Sequence, residues 1–294
     1  TEFELVTGEV WAPQNYDETF SGPLTLRESL EGSVNVVAAK LISEIGPQAA
    51  VNYAKRLGIT TLVESGRRND VTLAFALGGL TNGVSPLEMA RAYAVFANGG
   101  ILVEPIAILR VERADGTVLE EFRPHRRLVL SPEAAYIMTD MLRGVVERGT
   151  GIGANLGRPA AGKTGTTSEF TDAWFVGYTP SLVAAVWIGN DSNKPMVYPN
   201  MRIGSALASR TWKGFMERVL RGTEVEDFAR PAGIVGPLLI DKETGGLVND
   251  SCRSVPLEDR VFEIFIEGTE PTQISERCSS LFTPPPGFFR LPGS

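Results

Sequence analysis

Gly157-Arg158-Pro159-Ala160-Ala161-Gly162-Lys163-Thr164-Gly165-Thr166-Thr167 is the stretch on which the fold turns. Residues 157–164 spell G-x-x-x-x-G-K-[ST], a phosphate-cradling loop, while residues 163–167 spell K-T-G-T-T, a strand carrying a cation beside an acyl-transfer site. The first reading needs a buried strand running into Gly157 and a helix starting at Lys163, because loop amides and helix N-terminus hold the phosphates together. Neither flank complies. Arg148-Gly149-Thr150-Gly151-Ile152-Gly153 is too rich in glycine for a buried strand, Gly165-Thr166-Thr167-Ser168 is poor helix material, and Pro159 removes an amide from the loop. The stretch reads as a strand, with Lys163 and Gly165 on one face and Thr164 and Thr166 on the other. Gly165 admits a substrate backbone, and hydroxyls beside an ammonium suit a carboxylate.

Working outward, the preceding half of the chain is helical. Thr25-Leu26-Arg27-Glu28 is a capping box for a helix ending near Gly32, and Val36–Ile42 runs apolar until Gly46-Pro47. Between them Gly32-Ser33-Val34-Asn35 is a polar turn from which side chains can enter a cleft. A third helix follows Pro47 and stops at Leu57-Gly58; Ser85-Pro86-Leu87-Glu88 opens another, closed by Asn98-Gly99-Gly100. Ile101–Arg113 and Thr117–Phe122 read as a hairpin about Asp115-Gly116. Ser131-Pro132-Glu133 begins a long helix with Ile137, Met138, Met141, Leu142, Val145 and Val146 on its apolar face.

Beyond Lys163, Trp174–Tyr178 and Leu182–Ile188 are strand-like runs joined by Thr179-Pro180-Ser181, and Gly204–Leu220 is an amphipathic helix. Helices, then a meander, then a closing helix argue for an α+β domain built on an antiparallel sheet. From about Thr223 the texture changes to prolines, Asp241-Lys242-Glu243-Thr244-Gly245-Gly246 and finally Pro284-Pro285-Pro286. The expected organisation is a main domain over residues 1–222 and a small β-rich or irregular appendage over 223–294, with an unstructured end.

Composition narrows the function. A net charge of −7 gives no sign of a nucleic-acid surface, and no run of eighteen apolar residues is present to span a membrane. The single histidine, His125, sits in R-P-H-R-R as a solvated residue, which rules out a histidine zinc cluster and disfavours a Ser-His-Asp triad. No cofactor or metal is expected. Cys252 and Cys278 either close a loop in an oxidising compartment or stay as buried thiols.

With Ser33-x-Asn35 on a helix–helix turn and Lys163-Thr164-Gly165 on a strand, the chain resembles the transpeptidase domain of penicillin-binding proteins, most closely the bifunctional class A kind. The resemblance extends to Pro13-Gln14-Asn15-Tyr16-Asp17, Gly22–Glu28, Ala90–Gly100, Gly149-Thr150-Gly151 and Asp172–Thr179, and more loosely to Gly268–Pro271 and on to Cys278. It implies an antiparallel sheet covered by helices, a helical subdomain, and a β-lactam-sensitive peptidoglycan D,D-transpeptidase acting through a serine acyl-enzyme. In that family Ser33 relays a proton, Asn35 binds the substrate amide, Lys163 keeps the relay positive, and Thr164, Gly165, Thr166 and Thr167 line the carboxylate and oxyanion subsites.

One departure matters. No Ser-x-x-Lys occurs in the 294 residues, so the family's nucleophile is expected upstream of Thr1, and this polypeptide alone is expected to be inactive. The implied partners are D-Ala-D-Ala stem peptides, β-lactams and the missing N-terminal part. The implied location is the extracytoplasmic face of a bacterial membrane, anchored by a segment not present here. A non-catalytic domain that binds peptidoglycan peptide or senses β-lactam is the alternative, and a β-lactamase or carboxypeptidase relative a third. At the residue level, Ser33 could be a helix cap, Asn35 a turn former and Lys163 a solvated edge charge, while Trp174, Phe175 and Tyr178 read as sheet core.

Overall fold

The computed structural model describes residues 2–4, 10–20, 22–198 and 201–279. The prolines at 284–286 lie outside them. The chain forms two compact units, one comprising Thr1–Ser21 with Leu26–Pro231, the other Gly22–Thr25 with Ala232 onward.

The first unit opens with a short ribbon, β1 (Phe3–Glu4) and β2 (Val10–Trp11), and then turns helical. Helices α1 (Leu26–Gly32), α2 (Asn35–Ile45) and α3 (Pro47–Arg56) follow in quick succession, Pro47 supplying the preset φ for a first helical turn. Helix α4 (Pro86–Ala97) carries a complete capping box: the Ser85 hydroxyl accepts from Glu88 N, and the Glu88 carboxylate accepts from Ser85 N.

The next segment departs from the expected single hairpin. Ile101–Arg113 is two strands, not one: β3 (Ile101–Val103) pairs with the distant β6 (Arg126–Leu128), whereas β4 (Arg110–Glu112) pairs with β5 (Val118–Glu121). Pro105 explains the break, because it has no amide to continue the first ladder. The Asp115-Gly116 turn forms as read, with Asp115 Oδ1 accepting from Thr117 N at 2.9 Å.

Helix α5 (Pro132–Glu147) buries Ala135, Thr139, Leu142, Val145 and Val146. The expected face included Ile137, Met138 and Met141, which are only half-buried. Thr139 is among the buried positions, where its hydroxyl comes within 3.0 Å of the Tyr178 hydroxyl and donates to Phe96 O at 3.4 Å.

The central sheet has the order β7 (Ala161–Thr166), β8 (Asp172–Tyr178), β9 (Val183–Gly189), all antiparallel. A further ribbon, β10 (Val197–Tyr198) with β11 (Met201–Arg202), precedes helix α6 (Ser205–Val219). One face of the sheet rests on α6: Phe175 and Trp212, both fully buried, meet edge to face at 5.2 Å, and Trp212 Nε1 donates to Gly177 O and Ala184 O. A Cβ at Gly177 would lie 2.6 Å from the Phe175 ring, so only glycine admits this packing. The other face carries Ala161, Val176 and Tyr178 against α4 and α5. Phe175 and Tyr178 are core as expected. Trp174 is not: it is half-buried and lies against the exposed Trp187 at 6.3 Å, because its partner across the ladder, Gly165, has no side chain to cover it.

The second unit is a ribbon of β12 (Ile234–Asp241) and β13 (Arg260–Ile266) followed by the short α7 (Glu276–Ser279). Cys252 and Cys278 are disulfide-bonded, which decides between the two readings of the cysteines. Around them Arg277 reaches Asp241, Glu243 and Asp259, and the wholly buried Asp241 also accepts from Ser275 Oγ and Thr244 Oγ1.

Candidate active site

The α1–α2 turn places its two polar side chains in different ways. Ser33 adopts a left-handed φ of 55°, which only a minority of non-glycine residues tolerate. The turn is held by Val34 N donating to Ser29 O at 2.9 Å and Ser33 N donating to Leu30 O at 3.2 Å. Val34, not Ser33, is the N-cap residue of α2, and it makes no side-chain cap. Ser33 therefore keeps its hydroxyl for a partner 130 residues away: Lys163 Nζ donates to Ser33 Oγ at 2.7 Å. Asn35 begins α2, and its Nδ2 donates to Gln14 O at 2.9 Å. The structure thus joins Ser33 to Lys163 directly, while Asn35 is turned toward the Pro13-Gln14-Asn15 segment.

Lys163 comes from the middle of β7, on the face shared with Val176. Its Nζ also donates to Thr164 O at 3.2 Å and Thr164 Oγ1 at 3.3 Å, and burial pulls its pKa down from 10.5 to about 8. The lysine is half-buried and bonded to Ser33, not a freely solvated charge. Upstream of Gly157 lies a short 3-10 turn, and a strand, not a helix, carries Lys163.

The remaining residues of K-T-G-T-T divide by alternation. Thr167 N donates to Asp172 O at 3.1 Å, so the ladder turns the amide of Thr166 toward the free edge of β7. The Thr166 hydroxyl accepts from Ser205 N at 3.0 Å at the start of α6. The Thr167 hydroxyl is engaged within the β7–β8 turn, accepting from Thr171 N and Asp172 N. Thr164 Oγ1 lies 2.7 Å from Thr150 Oγ1, in the Gly149-Thr150-Gly151 stretch to which the sequence reading gave no role. Thr150 N in turn donates to Glu31 O, and Arg148 Nε donates to Glu31 Oε2 at 3.0 Å, which ties this stretch to the end of α1. A Cβ at Gly149 would come within 2.5 Å of Glu31 O, the physical reason for glycine at that position.

Among the described residues no group of three His, Cys, Asp or Glu side chains could hold a metal ion, and no helix is long and apolar enough to cross a membrane. What the geometry offers is a hydroxyl bonded to a half-buried ammonium, a second hydroxyl pair beside it, and an outward-facing strand amide. The family described as the penicillin binding protein transpeptidase domain matches residues 2–198. The chain belongs to that family. A second match, to the C-terminal domain of penicillin-binding protein 1A, covers residues 230–279. Penicillin-binding protein 1A of Clostridium tetani is 35% identical over 288 residues, covering 95% of this chain and 36% of the relative. That of Aquifex aeolicus is 37% identical over 265 residues, covering 90% and 34%. The chain thus spans about a third of the length of these penicillin-binding proteins. Among solved structures, Haemophilus influenzae penicillin-binding protein 1A superposes with a TM-score of 0.79 at 26% identity, covering 94% of this chain and 44% of that one. Mycobacterium tuberculosis PonA1 in complex with penicillin V superposes with a TM-score of 0.69 at 28% identity, covering 79% and 65%. The α+β fold of this penicillin-binding transpeptidase chain is that of its relatives.

Proposed function

We propose that this chain supplies the turn and strand side of a peptidoglycan D,D-transpeptidase site whose nucleophile belongs to a Ser-x-x-Lys segment. The observation that carries the reading is the 2.7 Å contact from Lys163 Nζ to Ser33 Oγ. Because Lys163 donates to that oxygen, the proton of Ser33 is directed away from the lysine, to where a leaving amine gathers negative charge. In the reaction the nucleophilic serine Oγ attacks the penultimate carbonyl of a D-Ala-D-Ala stem peptide while its proton passes to the lysine of its own motif. The C–N bond breaks, D-alanine leaves with a proton relayed through Ser33, and the serine is left as an ester. An amine of a neighbouring strand then attacks the ester and restores the serine.

The other residues take roles consistent with their placement. The Thr166 amide, facing the free edge of β7, is one donor for the developing oxyanion. Lys163 and the Thr164 hydroxyl attract the terminal carboxylate, with Thr166 as a further donor and Gly165 giving the peptide room to lie alongside. Asn35, whose Nδ2 is given to Gln14 O, meets the substrate amide through its Oδ1. Thr167 acts by holding the turn that follows β7. A β-lactam that mimics the dipeptide enters the same site. The Cys252–Cys278 disulfide supports an oxidising, extracytoplasmic setting.

A second reading is a non-catalytic domain that binds peptidoglycan peptide or senses β-lactam. Fluorescent penicillin separates the two. The transpeptidase reading expects stable labelling of a protein that joins these residues to a Ser-x-x-Lys segment, and none of this polypeptide alone. Reversible binding without covalent label in both sinks it in favour of the second.

A further inference from the structure

Helix α2 has a problem at its start. The residue at its N-cap is Val34, whose side chain accepts nothing, and Ser33, which could cap, has its hydroxyl at Lys163. The first amides of a helix have no partner within it, so a helix at this place needs one from outside. The partner comes from 21 residues upstream, where Asn15 Oδ1 accepts from Val36 N at 3.2 Å. The adjoining carbonyl, Gln14 O, accepts from Asn35 Nδ2. Two successive residues of one segment therefore hold the first two residues of α2.

The segment itself is built to stay in place. Asn15 Nδ2 donates to Thr19 O at 2.7 Å, and Glu18 N donates to Asn15 O at 3.0 Å. The Asp17 carboxylate accepts both Thr19 N and Thr19 Oγ1, and Pro13 is buried. This is a preformed loop whose asparagine faces the helix end, replacing a local cap with a tertiary one.

We propose that Asn15 is a positioning residue of the site: by capping α2 in place of Val34 and fixing the Gln14 carbonyl against Asn35, it allows Ser33 to spend its hydroxyl on Lys163. A local cap and a relay hydroxyl cannot both come from a turn this short, and the Pro13–Asp17 loop resolves the conflict. The catalytic consequence rests on the transpeptidase reading; the capping does not.

Two measurements test it. On this polypeptide, amide exchange at Val36 is expected to speed up about tenfold in Asn15→Ala and to return toward the original rate in Asn15→Asp, which keeps the accepting oxygen. Exchange in the β7–β8 ladder serves as the control for global stability. Unchanged exchange at Val36 overturns the capping. On the protein that includes its Ser-x-x-Lys segment, the second-order rate of acylation by fluorescent penicillin is expected to fall about tenfold per folded molecule in Asn15→Ala and to recover in Asn15→Asp. A loss confined to the amount of folded protein, with an unchanged rate constant, overturns the positioning role. If the unsubstituted protein fails to label, the transpeptidase reading falls, and exchange at Val36 alone decides the inference.

Discussion

Val34 occupies the cap position of α2, which leaves the Ser33 hydroxyl to Lys163, and desolvation lowers the pKa of that lysine to about 8. Two opposite pH trends follow. Between about 8 and 10.5 the unfolded chain holds a proton on Lys163 that the folded chain has lost, so the Lys163 contribution to stability rises with pH across that window. Acylation by a carboxylate-bearing β-lactam needs the ammonium, so its rate is expected to fall as pH rises past about 8. Stopped-flow acylation against pH, paired with denaturant titration, checks both; Lys163→Ala is expected to slow acylation about a hundredfold and to abolish the Lys163 stability trend. Glu88 behaves in the other direction. Partial burial pushes its carboxyl up, but hydrogen bonds from Ser85 and Thr60 outweigh this and hold it at about 2. The stabilisation it gives α4 is present above the ordinary carboxylate value of 4.5 and lost as pH falls toward 2. Acid titration of Glu88→Gln against the original chain is expected to show a gap of about 1 kcal/mol at pH 6 that closes by pH 2. At this scale the sequence marked Gln14, Asn15 and Thr150 as lying in family-like stretches but did not disclose what they touch, and it did not point to Glu31. Their contacts depend on chain segments folding back over one another, and neither period nor spacing encodes that.

Elements were more readable where chemistry marks their ends. Ser85, Ser131, Pro47 and the glycines after each helix placed α3, α4 and α5 correctly, because caps are local. The failure lay in Ile101–Arg113, which is rich in Val and Ile throughout yet contributes two strands to different ladders. Propensity reports that a residue suits a pleated surface, not which partner it takes. The junction of α5 with β7 is tightly constrained. Gly149 lies against Glu31 O, and the following Thr150 meets Thr164. Gly149→Ala is expected to destabilise the first unit by roughly 2 kcal/mol, since neither the Glu31 carbonyl nor the α5 backbone can yield freely. Thermal unfolding measures this, and a change below a few tenths of a kcal/mol would contradict the close approach.

At the scale of the molecule, the order of helices and strands specified an α+β domain, and the composition changes near Thr223. The compact units divide after Pro231, because Phe228 still belongs to the core formed with Tyr178. Each unit has its own stabilising chemistry: an aromatic and aliphatic sheet core in the first, a disulfide and a web of ion pairs in the second. Replacing Cys252 by Ser is expected to destabilise the second unit by about 3 kcal/mol. Hydrogen exchange should then accelerate at Ile240 and Val261 but stay unchanged at Val176 and Ala185; equal acceleration in both ladders would show that the units unfold together.

The central sheet stops at β9, which among the described residues has a ladder on one side only. Val183–Gly189 contains no charge, no proline and no bulge, the features with which sheets ordinarily discourage unwanted neighbours. That margin is open to a further strand. Two copies brought margin to margin can each satisfy the other's open amides and carbonyls, so this polypeptide is expected to gather into dimers and larger species as its concentration rises. Sedimentation velocity across a dilution series should show the average mass climbing, and Trp187→Lys, which sets a charge on the exposed part of the strand, should hold the chain monomeric.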